Sequence, residues 1–147
     1  MDCIFCEIVA GKQAASVVYH DEVCTAFMDI QPVNAGHLLV VPNAHAASLA
    51  KLDPDAGAHL FRVAQRIAAG LRASSLRCEG VNLFLADGEA AMQEVFHVHL
   101  HVFPRFAGDG FGLTFGPDYA RKPPRSALDE AADALRVALA PPATSRT

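Results

Sequence analysis

The amino-acid sequence predicts an α+β fold, in which an antiparallel sheet is covered by one long helix and followed by a C-terminal helix. Five short segments rich in β-branched and aliphatic residues, each bounded by turn-forming residues, are typical of strands. Two longer segments carry apolar residues on one helical face. The 147 residues are enough for one hydrophobic core. We therefore expect a single domain over residues 1–140 and a disordered tail over residues 141–147.

The strand predictions follow from hydrophobic patterning between turn signals. The predicted strands are residues 17–20, 23–30, 37–42, 80–86 and 95–103. Asp21 and Glu22 form the turn between the first two, and a longer turn over residues 87–94 leads into the last.

Both helices are predicted from caps and apolar stripes. Asp53 followed by Pro54 is typical of a helix start, and the residues beyond it place an apolar stripe on one face. That stripe is Leu60, Ala64, Ile67, Ala68 and Leu71, and His59 beside it is interpreted as a partly exposed helix residue. Ser126 with Asp129 resembles a capping box, which predicts that the second helix begins there.

Composition and charge exclude several classes of protein. The hydrophobic fraction is 52% and the charged fraction 19%, as in compact globular proteins. The net charge of −4 and the pI of about 5.9 leave no broad basic surface for nucleic acid. The N-terminus lacks the pattern of a secretory leader, and the longest aliphatic run, residues 38–41, is too short to cross a bilayer. We expect a soluble, cytoplasmic protein that binds neither nucleic acid nor membrane.

Three histidines, His97, His99 and His101, alternate with aliphatic residues in the fifth predicted strand. A strand sends alternate side chains to opposite faces, so the imidazoles share one face and Val98 and Leu100 enter the core. Residues four apart on a regular strand are roughly 13 Å apart, too far for one metal ion to bind both outer rings. We therefore expect the three histidines to serve different purposes.

Cys3 and Cys6 have the spacing of either a metal knuckle or a redox pair. A redox pair normally follows a strand at a helix start, and no strand precedes these residues in the sequence. A closed zinc site would require two further ligands, and the chain has seven histidines. The residues alone leave both interpretations open.

Residues 93–105, QEVFHVHLHVFPR, resemble the signature of the histidine-triad (HIT) family of nucleotide hydrolases and transferases. Residues 27–30, Pro32, residues 36–42 and His45 resemble the N-terminal half of that family, in the same order. The CIFC motif at residues 3–6 and the GDGF motif at residues 108–111 are similar to its bacterial, zinc-carrying branch. The resemblance covers residues 1 to about 125 and implies a HIT-like fold.

The resemblance implies a catalytic role for four residues. His99 would attack the α-phosphorus of a nucleotide and form a nucleotidyl-histidine, which water then cleaves to release a nucleoside monophosphate. His37 and His101 would hydrogen-bond the phosphate oxygens, and Gln93 would position the α-phosphate. The chemistry itself would need no divalent metal. The proton on the other ring nitrogen of His99 would be held by an acceptor, which we expect to be a backbone group.

Binding residues, a metal site and an assembly are also implied. Asp29 would accept hydrogen bonds from the ribose hydroxyls, and Phe27 and Ile30 would flank the base. The implied zinc ligands form a closed structural site of Cys3, Cys6, His45 and His97. Similar proteins form a homodimer with one continuous sheet.

Three positions depart from the family pattern. Ala86 stands where similar enzymes often have a side-chain amide, and Met92 stands where glycine is usual. Glu94 replaces a Ser or Thr hydroxyl that commonly faces the phosphate or the leaving group. These changes leave open whether the leaving group is a polyphosphate or an amine.

Three functional hypotheses therefore stand. The first is a diadenosine tetraphosphate hydrolase-like enzyme that acts on dinucleoside polyphosphates or nucleoside phosphoramidates. The second is a catalytically weak nucleotide-binding or interaction protein of the same fold, favoured by the substitutions at Ala86 and Glu94. The third is a metal-dependent oxygenase with an H-x-H pair and a carboxylate on a β-barrel, which the small number of predicted strands disfavours.

Overall fold

A five-stranded antiparallel sheet organises the computed structural model, which describes residues 3–140. The strands are β1 (Val17–His20), β2 (Cys24–Met28), β3 (Leu38–Pro42), β4 (Gly80–Phe84) and β5 (Leu100–Arg105), in the spatial order β1-β2-β3-β5-β4. The helices are α1 (Ile4–Val9), α2 (Pro54–Ala73) and α3 (Arg125–Leu139), and single 3₁₀ turns span Leu49–Lys51 and Glu89–Ala91. The predicted α+β class is confirmed.

The long helix α2 forms where the cap and the apolar stripe predict it. The Asp53 carboxylate accepts a hydrogen bond from the Ala56 backbone N–H at 2.9 Å, and Pro54 occupies the first turn. The buried side chains of α2 pack on one side of the sheet, the helix face, in a single apolar cluster. That cluster includes Ala26, Leu38, Val40, Leu60, Val63, Ala64, Val98, Leu100 and Val102.

The opposite side of the sheet, the histidine face, is partly covered by α1, which was not predicted. Phe5 of α1 packs with Phe27, Leu39 and Val41 in a second apolar cluster, and the Phe5 and Phe27 ring centroids are 5.5 Å apart. With only six residues, α1 is too short to show a helical period in the sequence. The first residues of the chain therefore pack against the face that carries the histidines.

Four of the five strands differ from the predicted bounds by at least one residue, and the differences in β2 and β5 affect candidate site residues. β2 ends at Met28, so Asp29 and Ile30 lie beyond it. β5 begins at Leu100 and not at residue 95, so His97 and His99 precede the strand and only His101 lies within it. The start of β5 differs because of a long-range contact, in which the Val98 backbone N–H donates to the Ala46 carbonyl at 2.7 Å. The alternation of buried apolar residues and histidines nevertheless continues through this segment.

The chain divides after Phe111 into two compact units, and the second consists of residues from Gly112 onward. Its helix α3 begins at Arg125 with Pro124 at the cap position and no side-chain cap, so the predicted cap at Ser126 is wrong by two residues. Asp129 instead pairs with Arg125 at 2.8 Å, as expected for residues one turn apart. The predicted tail over residues 141–147 lies outside the described residues, and the single domain over residues 1–140 remains a prediction. None of the helices described is both long and apolar enough to cross a bilayer.

Candidate active site and metal centre

The three alternating histidines take part in two separate clusters on the histidine face. His97, fully buried, joins Cys3, Cys6 and His45. His101 pairs with His37 and lies near Asp29. His99 lies between them, with its ring centroid 4.9 Å from that of His101. The prediction that the three histidines serve different purposes agrees with this arrangement.

The first cluster brings four metal-binding atoms together. The Sγ atoms of Cys3 and Cys6 and the Nδ1 atoms of His45 and His97 all lie within 4.8 Å of one another. Cys3 Sγ is 3.4 Å and Cys6 Sγ is 3.5 Å from His97 Nδ1, while His45 Nδ1 is 3.3 Å from His97 Nδ1 and 3.4 Å from Cys6 Sγ. Tetrahedral zinc, with bonds of about 2.3 Å to sulfur and about 2.1 Å to nitrogen, requires ligand atoms about 3.3–3.8 Å apart. The measured separations fit that requirement.

The protonation of His97 also suits a metal ligand. Its Nε2–H donates to the Pro42 carbonyl at 2.9 Å, which leaves Nδ1 as the unprotonated nitrogen. Burial lowers the pKa of His97, so the ring is neutral near pH 7. The four residues therefore fit zinc both in their spacing and in the chemistry of the donor set.

His99 is held as a neutral ring with one defined tautomer. Its Nδ1–H donates to the His97 carbonyl at 2.7 Å, so Nε2 carries the free lone pair. The ring is 6% exposed, and Phe5 packs edge-on against it with 5.2 Å between centroids. The backbone acceptor predicted for this histidine is thus present, and Nε2 is the nitrogen able to act as a nucleophile.

The tautomers of His37 and His101 follow from a chain of hydrogen bonds. The Val33 backbone N–H donates to His37 Nδ1 at 3.0 Å, which assigns the ring proton of neutral His37 to Nε2. His37 Nε2–H then donates to His101 Nδ1 at 2.9 Å, which assigns the proton of His101 to its own Nε2. His101 therefore offers an N–H donor from Nε2.

Both rings of this pair are neutral near pH 7. Burial lowers the pKa of His37, against the opposing effect of Asp29. Burial, together with the neighbouring His99 and His37, lowers the pKa of His101 to about 4. Neutral rings with fixed tautomers act as hydrogen-bond donors of defined position, which is the property required to stabilise developing charge on a phosphoryl oxygen.

Asp29 lies beside this pair. Its Oδ2 is 3.5 Å from His37 Nε2 and 3.8 Å from His101 Nδ1, so the three groups are close enough to hold a metal ion. The tautomers disfavour one, because His37 Nε2 carries a proton and His101 Nδ1 accepts that proton. The sheet is also open, with β1 and β4 at its edges, which disfavours the barrel-based oxygenase hypothesis.

Gln93 is buried and its amide is bonded to three backbone groups. Its Oε1 accepts from the Gly88 N–H at 2.8 Å, and its Nε2 donates to the carbonyls of Ala47 and Val95 at 2.9 and 3.1 Å. In this structure the side chain therefore holds the turn that precedes the histidines. Met92, one of the departures from the family pattern, adopts a left-handed conformation with φ 68°, which normally favours glycine.

The other predicted site residues differ in accessibility. Phe27 is 3% exposed and belongs to the second apolar cluster, whereas Ile30 is 95% exposed, so only Ile30 presents an open surface to a base. Ala86 is buried, and Glu94 is exposed next to Gln93.

Sequence reasoning missed three residues that shape the site. Phe5 packs against the rings of His97 and His99, Val33 sets the tautomer of His37, and Asn34 bonds to Asp109. Val33 acts through its backbone and carries no side-chain signal. Two motifs of the sequence analysis contain residues of this group or their partners, without indicating these roles: CIFC contains Phe5, and GDGF contains Asp109.

Comparison with known proteins agrees with this geometry. A family model described as the HIT domain matches residues 10–108. An uncharacterised HIT-like protein of Mycobacterium tuberculosis is 41% identical over 140 residues, covering 95% of this chain and 94% of the relative. The crystal structure of a Zn-bound histidine triad family protein from Mycobacterium smegmatis superimposes with a TM-score of 0.74 and 40% identity, covering 91% of this chain and 98% of that one. A protein of Arabidopsis thaliana named adenylylsulfatase HINT3 is 31% identical over 104 residues, covering 71% of this chain and 52% of the relative.

Proposed function

The chain belongs to the HIT domain family, and on that premise we propose that it is a nucleotide hydrolase or transferase that works through a nucleotidyl-histidine at His99. Its substrates would be dinucleoside polyphosphates or nucleoside phosphoramidates, and its product a nucleoside monophosphate. The observation that most directly supports this proposal is the 2.7 Å hydrogen bond from His99 Nδ1 to the His97 carbonyl. This bond keeps Nε2 unprotonated, which is the state that a nitrogen nucleophile needs.

The reaction would proceed in two displacements. His99 Nε2 attacks the α-phosphorus, an N–P bond forms, and the bond from phosphorus to the leaving group breaks. The leaving group keeps the electron pair of that bond and departs as a phosphate anion or, after taking a proton from solvent, as an amine. Water then attacks the same phosphorus and releases a proton to solvent, the N–P bond breaks, and His99 regains its lone pair. In both steps the Nε2–H of His101 donates to a phosphoryl oxygen, and His37 keeps His101 in the donating tautomer.

Nucleotide binding would use the residues around this centre. Asp29 would accept hydrogen bonds from the ribose hydroxyls, and the exposed Ile30 side chain would contact the base. Phe27, buried beneath them, would support this contact by packing rather than by stacking on the base. Gln93 would act on the α-phosphate through the position of the turn that it holds.

We extend the proposal to structural zinc at Cys3, Cys6, His45 and His97. Their spacing, the free Nδ1 of His97 and the Zn-bound relative from Mycobacterium smegmatis support it. When bound, the ion would supply only cross-linking between α1 and the segment before β5. His37 and His101 are not among the proposed zinc ligands.

The second candidate function, a nucleotide-binding protein with slow turnover, has one specific observation in its favour. All three hydrogen bonds that the Gln93 amide makes go to backbone groups, and Ala86 offers no side-chain amide in its place. The plant relative named an adenylylsulfatase favours the enzyme. The experiment below separates the two candidates.

A homodimer with a continuous sheet also remains part of the proposal. It is supported by the exposure of Leu83 and Phe84 on the edge strand β4, each 38% exposed. The molar mass in solution, from light scattering, tests it directly: one subunit mass would contradict the proposal.

The function is tested by measuring AMP release from diadenosine tetraphosphate and from an adenosine phosphoramidate. We expect release by the unaltered chain and a loss of at least about 10⁴-fold in His99→Ala, with nucleotide binding retained. His59→Ala is the matched control, because it truncates a histidine that lies on α2, outside the site. Undiminished release in His99→Ala would overturn the nucleophile assignment. Binding without release by the unaltered chain would favour the second candidate.

The ratio of the two rates reports on Glu94. An exposed carboxylate next to Gln93 favours an amine over a polyphosphate leaving group, because it repels the negative charge of a polyphosphate. We expect Glu94→Ser to shift the ratio towards diadenosine tetraphosphate. An unchanged ratio would show that Glu94 does not set the leaving-group preference.

A further inference from the structure

We propose that Asp109 and Asn34 form a positioning pair, which holds the loop before His37 and thereby fixes the tautomers of His37 and His101. The inference rests on the proposed function, because it assigns these residues to the same reaction. Neither residue belongs to the histidine clusters, and the GDGF motif that contains Asp109 otherwise has no role.

Asp109 is a fixed anchor. Its side chain is 3% exposed and accepts from Arg105 twice, Nε to Oδ2 at 2.6 Å and Nη2 to Oδ1 at 2.9 Å. The backbone N–H groups of Phe106 and Phe111 donate to it as well, at 3.4 and 3.1 Å. The Arg105 guanidinium in particular holds the pKa of Asp109 well below its usual range, so the carboxylate is ionised at neutral pH. A buried, ionised and fully bonded carboxylate has little freedom to move.

Asn34 connects this anchor to the loop before β3. Its Nδ2 donates to Asp109 Oδ2 at 2.9 Å and to the Pro104 carbonyl, also at 2.9 Å. Both partners are distant from Asn34 in sequence: Asp109 lies 75 residues after it and Pro104 lies 70 residues after it. The amide therefore ties a loop between β2 and β3 to the end of β5 and the turn that follows it.

The loop in turn sets His37. The Asn34 carbonyl accepts from the His37 backbone N–H at 2.9 Å, and the Val33 N–H donates to His37 Nδ1 at 3.0 Å. The second bond assigns the proton of His37 to Nε2, and His37 then assigns the proton of His101. The connection from Asp109 to the donating nitrogen of His101 is therefore an unbroken series of hydrogen bonds.

Loss of the bond between Asn34 and Asp109 should change the tautomers of His37 and His101, which a contact that only stabilises the fold would not do. If the loop relaxes, the Val33 N–H leaves His37 Nδ1, and both His37 tautomers become populated. His101 Nδ1 then loses its fixed donor, so the proton of His101 is shared between its two nitrogens. The donor aimed at the phosphoryl oxygen is then present only part of the time, which lowers kcat with little change in KM.

The test combines NMR with kinetics on Asn34→Ala. Long-range ¹H–¹⁵N correlation spectra of the ¹⁵N-labelled chain distinguish the two tautomers of each neutral histidine. We expect protonated Nε2 in both His37 and His101 of the unaltered chain, and averaged signals for both rings in Asn34→Ala. The kcat of the variant is expected to fall about two- to tenfold, in proportion to the fraction of His101 that keeps its proton on Nε2.

Asn82→Ala is the matched control. Asn82 Oδ1 accepts from Arg105 Nη1 at 2.6 Å, so the same truncation removes a hydrogen bond from the same network without touching Asn34 or Asp109. We expect its histidine signals and its kcat to match those of the unaltered chain. An equal effect of Asn82→Ala and Asn34→Ala would overturn the proposal in favour of general stabilisation.

Two further outcomes decide the proposal even if a variant fails. A folded Asn34→Ala with unchanged tautomers overturns it. If Asn34→Ala does not fold, the spectrum of the unaltered chain still decides, because a protonated Nδ1 in His37 or in His101 contradicts the proposed chain of bonds. The spectra need no substrate, so a failure of the proposed function appears as absent turnover and leaves the tautomer result separate.

Discussion

His97 and His101 lie four residues apart in one segment, yet the two clusters to which they belong use ring nitrogens in different ways. Around His97, two nitrogens and two sulfurs converge with separations of 3.3 to 3.5 Å between the measured pairs. Around His101, ring nitrogens are paired as donor and acceptor at 2.9 Å. The first arrangement concentrates lone pairs for a cation, and the second passes a defined proton from ring to ring.

The difference comes from the backbone group that each ring contacts. The Pro42 carbonyl accepts a hydrogen bond from the Nε2–H of His97, so Nδ1 of His97 is unprotonated. The Val33 backbone N–H donates to Nδ1 of His37, so the ring proton of His37 is on Nε2. Identical side chains thus acquire opposite roles from single backbone groups. Because the two clusters use different residues, substitutions in one should leave the other intact.

Removing one metal ligand should affect the first cluster and spare the second. Cys6→Ser is expected to reduce zinc from one ion per chain to a trace, because serine does not replace a thiolate. The free energy of unfolding should fall by about 4 kcal/mol when free zinc exceeds its Kd roughly a thousandfold. Atomic absorption and chemical denaturation measure the two quantities.

Cys78→Ser is the control for this prediction. Cys78 lies outside the cluster and donates to the Gly80 carbonyl, so its replacement should leave the zinc content unchanged. Residual AMP release by folded Cys6→Ser at low temperature is expected, because the histidine pair of the active site is not a ligand. Full zinc content in Cys6→Ser would contradict the assignment of the metal centre.

Acid should weaken the fold through the second cluster. The pKa of His101 is about 4 in the folded chain, against an ordinary value of 6.5. Between these values the unfolded chain binds a proton that the folded chain does not, so stability is complete above pH 6.5 and is lost as the pH falls towards 4. The contribution is about 3 kcal/mol, at 1.36 kcal/mol per pH unit.

This prediction is measured as a difference, because the metal ligands also bind protons in acid. Urea unfolding of the unaltered chain and of His101→Gln between pH 4 and pH 7 gives two slopes. The slope of the unaltered chain should be the steeper. Equal slopes would show that His101 is not a buried neutral ring.

The smallest effect is expected at a histidine–aspartate pair that lies outside both clusters. His59 Nε2 lies 2.7 Å from Asp21 Oδ2 and links α2 to the turn between β1 and β2. Asp21 also accepts from Tyr19, and although burial raises the pKa of Asp21, these hydrogen bonds lower it on balance. His59→Ala should cost about 1 kcal/mol of unfolding free energy, without changing zinc content or turnover. A loss of zinc or of activity would mean that the clusters are not independent of this contact.

Much of the fold was predictable because its helix caps and its patterns of apolar residues involve residues that are close in sequence. The cap at Asp53, the stripe of α2 and the alternation around Val98 and Leu100 all depend on residues close in sequence. Helix α1 was missed because six residues give no period, and the start of β5 was misplaced because the pairing of Val98 with Ala46 is a long-range contact. The partly exposed position predicted for His59 is confirmed, but not its bond to Asp21.

The sequence allowed the residue types of the candidate site to be predicted, but not their burial or their hydrogen-bond partners. The resemblance to the HIT family implied a nucleophilic His99, which remains a prediction, and a backbone acceptor for its ring proton, which the structure shows to be the His97 carbonyl. It did not indicate that Phe27 is buried, or that the Gln93 amide is bonded to backbone groups. These features depend on where distant segments meet, and one sequence carries no direct signal of such meetings.

The central claim is that His99 forms a covalent bond to the nucleotide, and the mass of the rapidly quenched protein tests it most directly. After mixing with diadenosine tetraphosphate or an adenosine phosphoramidate, we expect a species heavier by one adenylyl group, located on His99 and labile in acid. The His99→Ala variant should show no such species and no release of AMP. Release of AMP by His99→Ala at the rate of the unaltered chain, or turnover by the unaltered chain with no adduct at any quench time, would contradict the account.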